Sequence, residues 1–450
     1  MAFEFVRRLY GSAVVLWNAM GQSKVPYWPE ERLIEERDRR VREIVAYAAT
    51  TVPYYQEMLR REGIDPGDIR TAEDLERLPL IDRDWVRRDP ERFRSTSKAG
   101  QAAIASHTSG TTRTPITIYE DCHSMLVNSA YNVRERPVIQ KLLGVRRVPR
   151  AAYIEYPAST LGDLRAALDR ARYRPRRGSA LRLPMSEPIA NVVARINEYQ
   201  PDILASCGTY LEALFRTVAA RGLRLHTPRL LIYGADAMTE SGKRLIREEF
   251  GVPIYSTYQS VEMPKIGFTC EAQGHFHLHV DLTHVRIINR NGRTLPSGQS
   301  GEVVASNLFN HGTVLLNYRH GDIATLHEER CSCGRTLPLL SGLDGRMEDL
   351  IWRANGDFIH PFYVLDVVLR QREVIQYQLI QHAVDSFELK LVAADRDAFD
   401  GLVGGVLDGL RALLGPTARI EAQYYERLEP PKQGKFRAVV THVESPLGAV

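Results

Sequence analysis

The chain has 450 residues, of which 44% are apolar and 25% charged, with a net charge of only +4. This is enough apolar material for more than one core, since single cores stop growing at about 250–300 residues. Acids and bases are mixed throughout, and the basic clusters at Arg146-Arg147 and between Arg170 and Arg177 are short, so the pattern is that of a solvated surface rather than of a nucleic-acid-binding stripe.

Arg7-Arg8 precedes the apolar run Gly11 to Trp17, a faint likeness to a signal peptide. The run is short, Asn18 and Gln22 follow closely, and no small-x-small cleavage site is evident, so it reads as an amphipathic or packed helix. No segment approaches the roughly 18–20 apolar residues of a membrane span. Five cysteines do not make a disulfide framework. The expectation is a cytoplasmic protein with neither a membrane nor a nucleic acid as partner.

Ile34, Val41, Ile44 and Val45 recur at helical spacing and predict helix over 30–62, interrupted at Thr51-Val52-Pro53. Pro66, Pro79 and Pro90 make 64–95 irregular. Strands are predicted at 116–119, 151–154, 203–205, 230–233 and 253–256, with helices at 187–199, 209–222 and 239–250 between them, which is α/β layering. The texture then turns to β, at 285–288, 301–305 and 313–318. From about 349 a small α+β unit is predicted: a helix at 361–371, strands at 374–382 and 387–393, a helix at 397–413 and a strand at 419–425. The expected fold is therefore α/β. A large N-terminal domain of several subdomains (1–347) has sheets flanked by helices, and a hinge joins it to a small C-terminal domain (348–450).

Chemistry concentrates in a few polar clusters. Thr108-Ser109-Gly110-Thr111-Thr112 is a run of four hydroxyls and one glycine, followed by Arg113. Such a loop can wrap phosphate oxygens with backbone N–H and side-chain O–H groups, though Ser/Thr/Gly runs are also ordinary solvated loops. It lacks the spacing of a Walker loop. Further clusters are Tyr233-Gly234-Ala235-Asp236, Tyr258-Gln259-Ser260-Val261-Glu262, Tyr318-Arg319-His320-Gly321-Asp322, Gly345-Arg346 and Gly434-Lys435. Several follow predicted strands, where ligands of open α/β sheets gather. Cys270, His275, His277, His279, Cys331 and Cys333 form a second group, and three thiolates with one imidazole make a closed tetrahedral Zn²⁺ set.

Taken in order, from about residue 30 to 440, these clusters resemble the adenylate-forming superfamily of acyl-CoA synthetases. Within it they are similar to the branch of phenylacetate–CoA ligases and the capsule-biosynthesis-associated and deazaflavin-adenylylating relatives. The resemblance implies ATP-dependent activation of a carboxylic acid to an acyl-AMP, with pyrophosphate released and the acyl group passed to CoA. Another acceptor, such as an amine or a carrier protein, or nucleotide binding without turnover, is the alternative.

The resemblance also implies roles. Thr108 to Thr112 would hold the ATP phosphates, Gly234, Ala235 and Asp236 would line the adenine, and Tyr258 would pack on it. Glu262 would ligate Mg²⁺, Asp322 would accept the ribose hydroxyls, and Arg346 would contact nucleotide near the hinge. Lys435 would be the mobile catalytic lysine, with Lys432 its competitor. Arg113, Gln259 and Asp236 depart from the family pattern, which usually has Gly, Gly and Glu there. The branch often carries Cys…His…Cys-x-Cys. His277, four residues before Asp281, fits its spacing, so Cys270, His277, Cys331 and Cys333 are the expected structural zinc ligands, in a β region near 265–335. Ser206, Gly208, Tyr210, Ala237 and Pro264, with Cys207 and Ile266, are expected to line the acid pocket, a small and apolar mixture suited to an aromatic or short-chain acid. Relatives often dimerise, and Phe5, Leu9 and Trp17 could serve a homodimer.

Overall fold

The structure is a computed structural model that describes residues 2–107, 116–145, 147–155, 160–173, 180–185, 187–272, 274–343, 351–352, 358–359, 364, 367–368, 370–371, 373–429 and 437–443. Its centre is an eleven-stranded sheet. From one edge the order is Leu181–Pro184, Ala151–Glu155, Ile203–Cys207, Leu230–Gly234, Ile254–Tyr258, Gly267–Thr269, Phe276–Leu278, Leu339–Ser341, Tyr318–His327, Ser300–Asn307 and Thr283–Ile288. The first five strands are parallel. Every later pairing is antiparallel. The change falls at Ile254–Tyr258, and the loop at its carboxyl end carries Gln259 to Glu262.

The parallel half follows from continuous apolar runs such as Leu230-Leu231-Ile232, which suit strands covered on both faces. Helices Ile189–Tyr199, Gly208–Ala220 and Glu240–Glu249 make the crossovers, within two residues of their predicted limits. The first buries Val192, Val193 and Ile196, at the spacing of one helical face. The third starts at Thr239, whose side chain accepts from the Gly242 N–H.

Residues 30–62 form two helices, Glu30–Thr51 and Pro53–Glu62. Pro53 sits in the first turn of the second, where its missing N–H costs nothing. Their apolar faces join Ile116, Ile118, Val285, Val303 and Leu315 in the largest core.

Two expectations change. Residues 313–317 are not a strand: Thr313 makes an isolated bridge to Arg94, Asn317 takes a left-handed backbone (φ 60°), and the strand begins at Tyr318. A strand at Ile104–His107, too short and polar to predict, pairs antiparallel with Thr117–Glu120, His107 facing Thr117.

The C-terminal unit has a core of its own, which includes Leu379, Leu389, Leu391, Phe399, Val406 and Leu410. Its sheet runs Arg419–Tyr425, Ser386–Val392, Gln376–Ala383, Val439–Thr441, covered by helix Arg396–Leu414. The three-residue last strand gave no sequence signal. The expected hinge and most of the helix expected at 361–371 lie outside the described residues.

A charged network is buried between residues 132–135 and the antiparallel half. Arg134 and Asp281, each 1% exposed, make two 2.7 Å hydrogen bonds. Lys265 donates to Glu135 at 2.5 Å and to Asn132 at 2.7 Å, and the Tyr255 hydroxyl donates to Glu135 at 2.7 Å. Burial alone would raise both carboxyls. The adjacent cations override it, Arg134 holding Asp281 at about 2 and Lys265 holding Glu135 well below the usual range. Burial, with Arg134 nearby, presses His279 down to about 4.

Removing one partner leaves a buried charge uncompensated. Asp281→Ala is expected to lower unfolding free energy by about 3–5 kcal/mol in denaturant titration, and the Arg134→Met/Asp281→Leu double variant by clearly less. The pH dependence has a definite sign. His279 and Asp281 titrate below their unfolded values, so stability is lost as pH falls, first from about 6.5 to 4 and then from about 3.8 to 2. Thermal melts across this range should show both limbs, and His279→Gln should flatten the first.

Candidate active site and cysteine–histidine cluster

The loop 259–266 connects the last parallel strand to its antiparallel neighbour. The Ser260 N–H donates to the Met263 carbonyl and the Met263 N–H to Ser260 Oγ, both at 3.0 Å, making a tight turn. The Ile266 N–H returns to the Tyr258 carbonyl at 3.2 Å. Lys265, locked to Glu135 and Asn132, accepts at its own carbonyl from Thr283 Oγ1 at 2.7 Å. The turn therefore sets Glu262 at a fixed, buried position. Glu262 Oε1 accepts from the Tyr318 hydroxyl at 3.2 Å and lies 3.5 Å from Arg83 Nη2.

Tyr258 and Asp322 meet here. The Tyr258 hydroxyl donates to Asp322 Oδ2 at 2.8 Å, His320 Nδ1 lies 2.7 Å from the same oxygen, and His320 Nε2 is 2.9 Å from Ser260 Oγ. A bulge makes this possible. Glu302 pairs with Ile323 and Val304 with Arg319, so His320-Gly321-Asp322 together face Val303. Gly321 has φ +81°, a conformation glycine adopts without strain. The bulge aims Asp322 and His320 at Tyr258, while Tyr318 on the same strand reaches Glu262.

The other expected residues are placed as follows. Gly234 ends its strand, with the position a Cβ would occupy 3.4 Å from Thr257 Oγ1. Ala235 is left-handed (φ 74°), a strain of about 1–3 kcal/mol for a residue with a Cβ. Asp236 is half-buried beside it. Gly208 opens its helix against Ala237: a Cβ there would stand 2.7 Å from the Ala237 carbonyl, so the two backbones require glycine to touch. Ser206 donates to the Ile154 carbonyl at 2.7 Å. Burial, with Cys207 near, pushes the Tyr210 hydroxyl well above its ordinary range, and it makes no hydrogen bond among the described residues. Pro264 is half-buried in the loop next to Lys265. Thr108 to Thr112, Arg113, Arg346, Lys432 and Lys435 lie outside the described residues.

Sequence reasoning did not single out Arg83, Ser260, Tyr318 and His320. Three of these lie inside quoted clusters, so the signal was present. Arg83 opens the short helix Arg83–Arg88, in a segment expected to be irregular and 179 residues from Glu262, and had none.

The second constellation converges on one point. The donor atoms of Cys270, His277, Cys331 and Cys333 lie within 4.8 Å of one another. Cys270 Sγ is 3.6 Å from Cys331 Sγ, and Cys333 Sγ is 3.4 Å from His277 Nε2. A zinc tetrahedron with arms of about 2.0–2.3 Å has edges of about 3.3–3.8 Å, so the separations fit. They are far beyond a disulfide bond of about 2.05 Å. Gly334 (φ +80°) turns the Cys331–Cys333 loop. Burial, then Arg335, holds His277 neutral with its pKa near 4. Burial and the neighbouring thiols push Cys270 up to about 12, while hydrogen bonds from Arg335 outweigh burial and lower Cys333. His275 instead stacks on His327, centroids 4.4 Å apart, and His279 belongs to the buried charged network.

No family model matches the chain. A phenylacetate–coenzyme A ligase of Thermus thermophilus is 26% identical over 389 residues, covering 84% of this chain and 85% of its own length. Another, of Pseudomonas putida, is 24% identical over 352 residues, covering 76% and 77%. Among solved structures, a 2-hydroxyisobutyryl-CoA ligase in the postadenylation state, in complex with R3-HIB-AMP, superposes with a TM-score of 0.74 at 17% identity, covering 93% of this chain and 91% of that one. In sequence the chain is thus similar to phenylacetate–CoA ligases, and it has the fold of a solved acyl-CoA ligase.

Proposed function

We propose that the protein is an acid–CoA ligase that activates a carboxylic acid with ATP. The observation that carries this reading is the juxtaposition of Tyr258, Asp322 and Glu262 at the carboxyl end of the last parallel strand, in a chain related throughout to CoA ligases. Asp322, held in place through Oδ2 by Tyr258 and His320, would receive the ribose hydroxyls. The Tyr258 ring, held by that hydrogen bond, would pack against the base. Ala235 and Asp236 would border the same base.

Glu262 is a buried carboxylate whose partners include the Tyr318 hydroxyl and Arg83, a hard oxygen donor of the kind that would ligate a Mg²⁺ shared with phosphates. When bound, that ion would neutralise phosphate charge. The run Thr108–Thr112 would hold the outer phosphates.

In the first step a substrate carboxylate oxygen attacks the α-phosphorus and the bond to the pyrophosphate oxygen breaks. Charge accumulates on the non-bridging oxygens, where Lys435 would supply the stabilising cation and Arg346 would steady the nucleotide. In the second step the CoA thiol adds to the acyl carbon and AMP leaves as the C–O bond breaks. Gly208, in close contact with Ala237, would border the acid pocket, whose small and apolar lining suits an aromatic or short-chain acid. The four-donor cluster leaves no open position, so its zinc would be structural. The low cysteine content suits the cytoplasm.

Pyrophosphate release measured with a panel of carboxylic acids, with and without CoA, tests the reaction. Lys435→Ala is expected to lower kcat for adenylation by about 10²–10³, with Lys432→Ala near wild type. Undiminished activity in both variants would remove the assignment. Elemental analysis of the purified protein should find about one zinc per chain. Cys333→Ser should lose it and melt at lower temperature. A fully folded, metal-free wild type would exclude the site.

A further inference from the structure

Helix Ala2–Ala19 is attached to the protein by one face only. Val14 is buried in a small core with Leu126, Tyr131, Ala171 and Phe309. Gly11 presses against Ala171, whose carbonyl oxygen would be 2.1 Å from a Cβ there. The Tyr173 N–H donates to Ser12 Oγ at 2.9 Å, and Arg7 donates to the Arg170 carbonyl at 3.1 Å. The helix is therefore docked in a set orientation, not a loose arm.

Its other face is uncovered and apolar. Phe5, Val6, Leu9, Tyr10, Leu16, Trp17 and the following Met20 are each between 55% and 74% exposed. At about 100° per residue they fall within an arc of about 140°, a continuous stripe along the whole helix. Arg7 and Arg8 stand about 60° beyond its two edges. Glu4 is the only acid of the helix and is paired with Arg8 at 2.8 Å. Arg170 and Arg172 end the segment against which the helix docks, and Lys24 is exposed just after it. The apolar face thus has cations along both margins.

We propose that this helix docks the protein on the surface of an anionic phospholipid bilayer. The stripe would sink about 5–10 Å to the boundary of headgroups and acyl chains, with the arginines on lipid phosphates. Trp17 and Tyr10, which have an apolar body and a polar tip, suit that depth. Charge decides between this surface and a second copy of the chain. An isologous pairing sets the same basic margins against each other, whereas an anionic surface complements the exposed Arg7, Arg170 and Lys24 without that repulsion. Lying on a bilayer is not crossing it: no helix among the described residues is long and apolar enough to span a membrane.

The test is cosedimentation of the full chain with vesicles of phosphatidylcholine mixed with phosphatidylglycerol, and with phosphatidylcholine alone. Binding is expected to the mixed vesicles, weakened by salt, and much less to the neutral ones. The Leu9→Glu/Leu16→Glu/Trp17→Glu variant should lose about tenfold or more of the partitioning. Its melting temperature and acid activation should be unchanged, since these side chains touch neither core nor site. Val148→Glu, an exposed apolar position outside the helix, should bind like wild type. Absence of binding to mixed vesicles, or binding untouched by the triple variant, overturns the proposal. So does a dimer in sedimentation velocity that the triple variant dissolves while vesicle binding is absent.

Discussion

Lys265 is the residue on which the geometry of the candidate site rests. Its ammonium is buried between Glu135 and Asn132, and its carbonyl is held by Thr283. It is three residues from Glu262 and belongs to the same turn. A lone buried ammonium would be strongly disfavoured, so the turn can adopt this shape only with the 132–135 segment beneath it. Arg134 and Asp281 repeat the arrangement one layer away. The network contributes little net stability relative to an apolar replacement of the same volume, and its value here is positional.

The cysteine–histidine cluster acts on the same stretch from the other side. Phe268, on the strand that follows the turn, lies under both His277 and His279, centroids 5.6 and 5.0 Å away. His277 belongs to the sulfur cluster and His279 to the charged network, so strand Phe276–Leu278 and its end are gripped by both. The strand after the site loop is thus framed by two independent polar assemblies in a region whose strands are only three residues long. Short strands with few ladder bonds gain most from such side-chain clamps.

What the sequence made legible follows from range. Four of the five parallel strands, the three helices between 187 and 250 and the break at Pro53 are local signals, written in apolar spacing and capping residues, and they appear where the spacing puts them, whereas the edge strand Leu181–Pro184 and helix Thr160–Ala171 were not read from it. The clusters around Tyr258, Glu262 and Asp322 were legible as motifs, and their meeting depended on a bulge that no periodicity announces. A glycine between His320 and Asp322 reads equally well as a turn. Arg83, Glu135 and Asn132 were not legible at all: their roles exist only through partners more than a hundred residues away, and a single charged side chain does not reveal whether it will be buried. The strand at Ile104–His107 was missed because four residues with one strong apolar side chain fall below any pattern.

The sequence separations of these contacts bear on how the molecule assembles. Arg134 and Asp281 are 147 residues apart, Lys265 and Glu135 130, and Arg83 and Glu262 179. Loop-closure entropy and high contact order make such pairings slow relative to the helices and crossovers around them. A chain emerging from its N-terminus exposes Arg134 and Glu135 well before Lys265 and Asp281 have been synthesised. The parallel half can collect its own core in that interval, but the segment 132–135 must stay solvated until the antiparallel half arrives. The site turn is therefore a late product of folding, completed when charges at distant points of the chain neutralise one another.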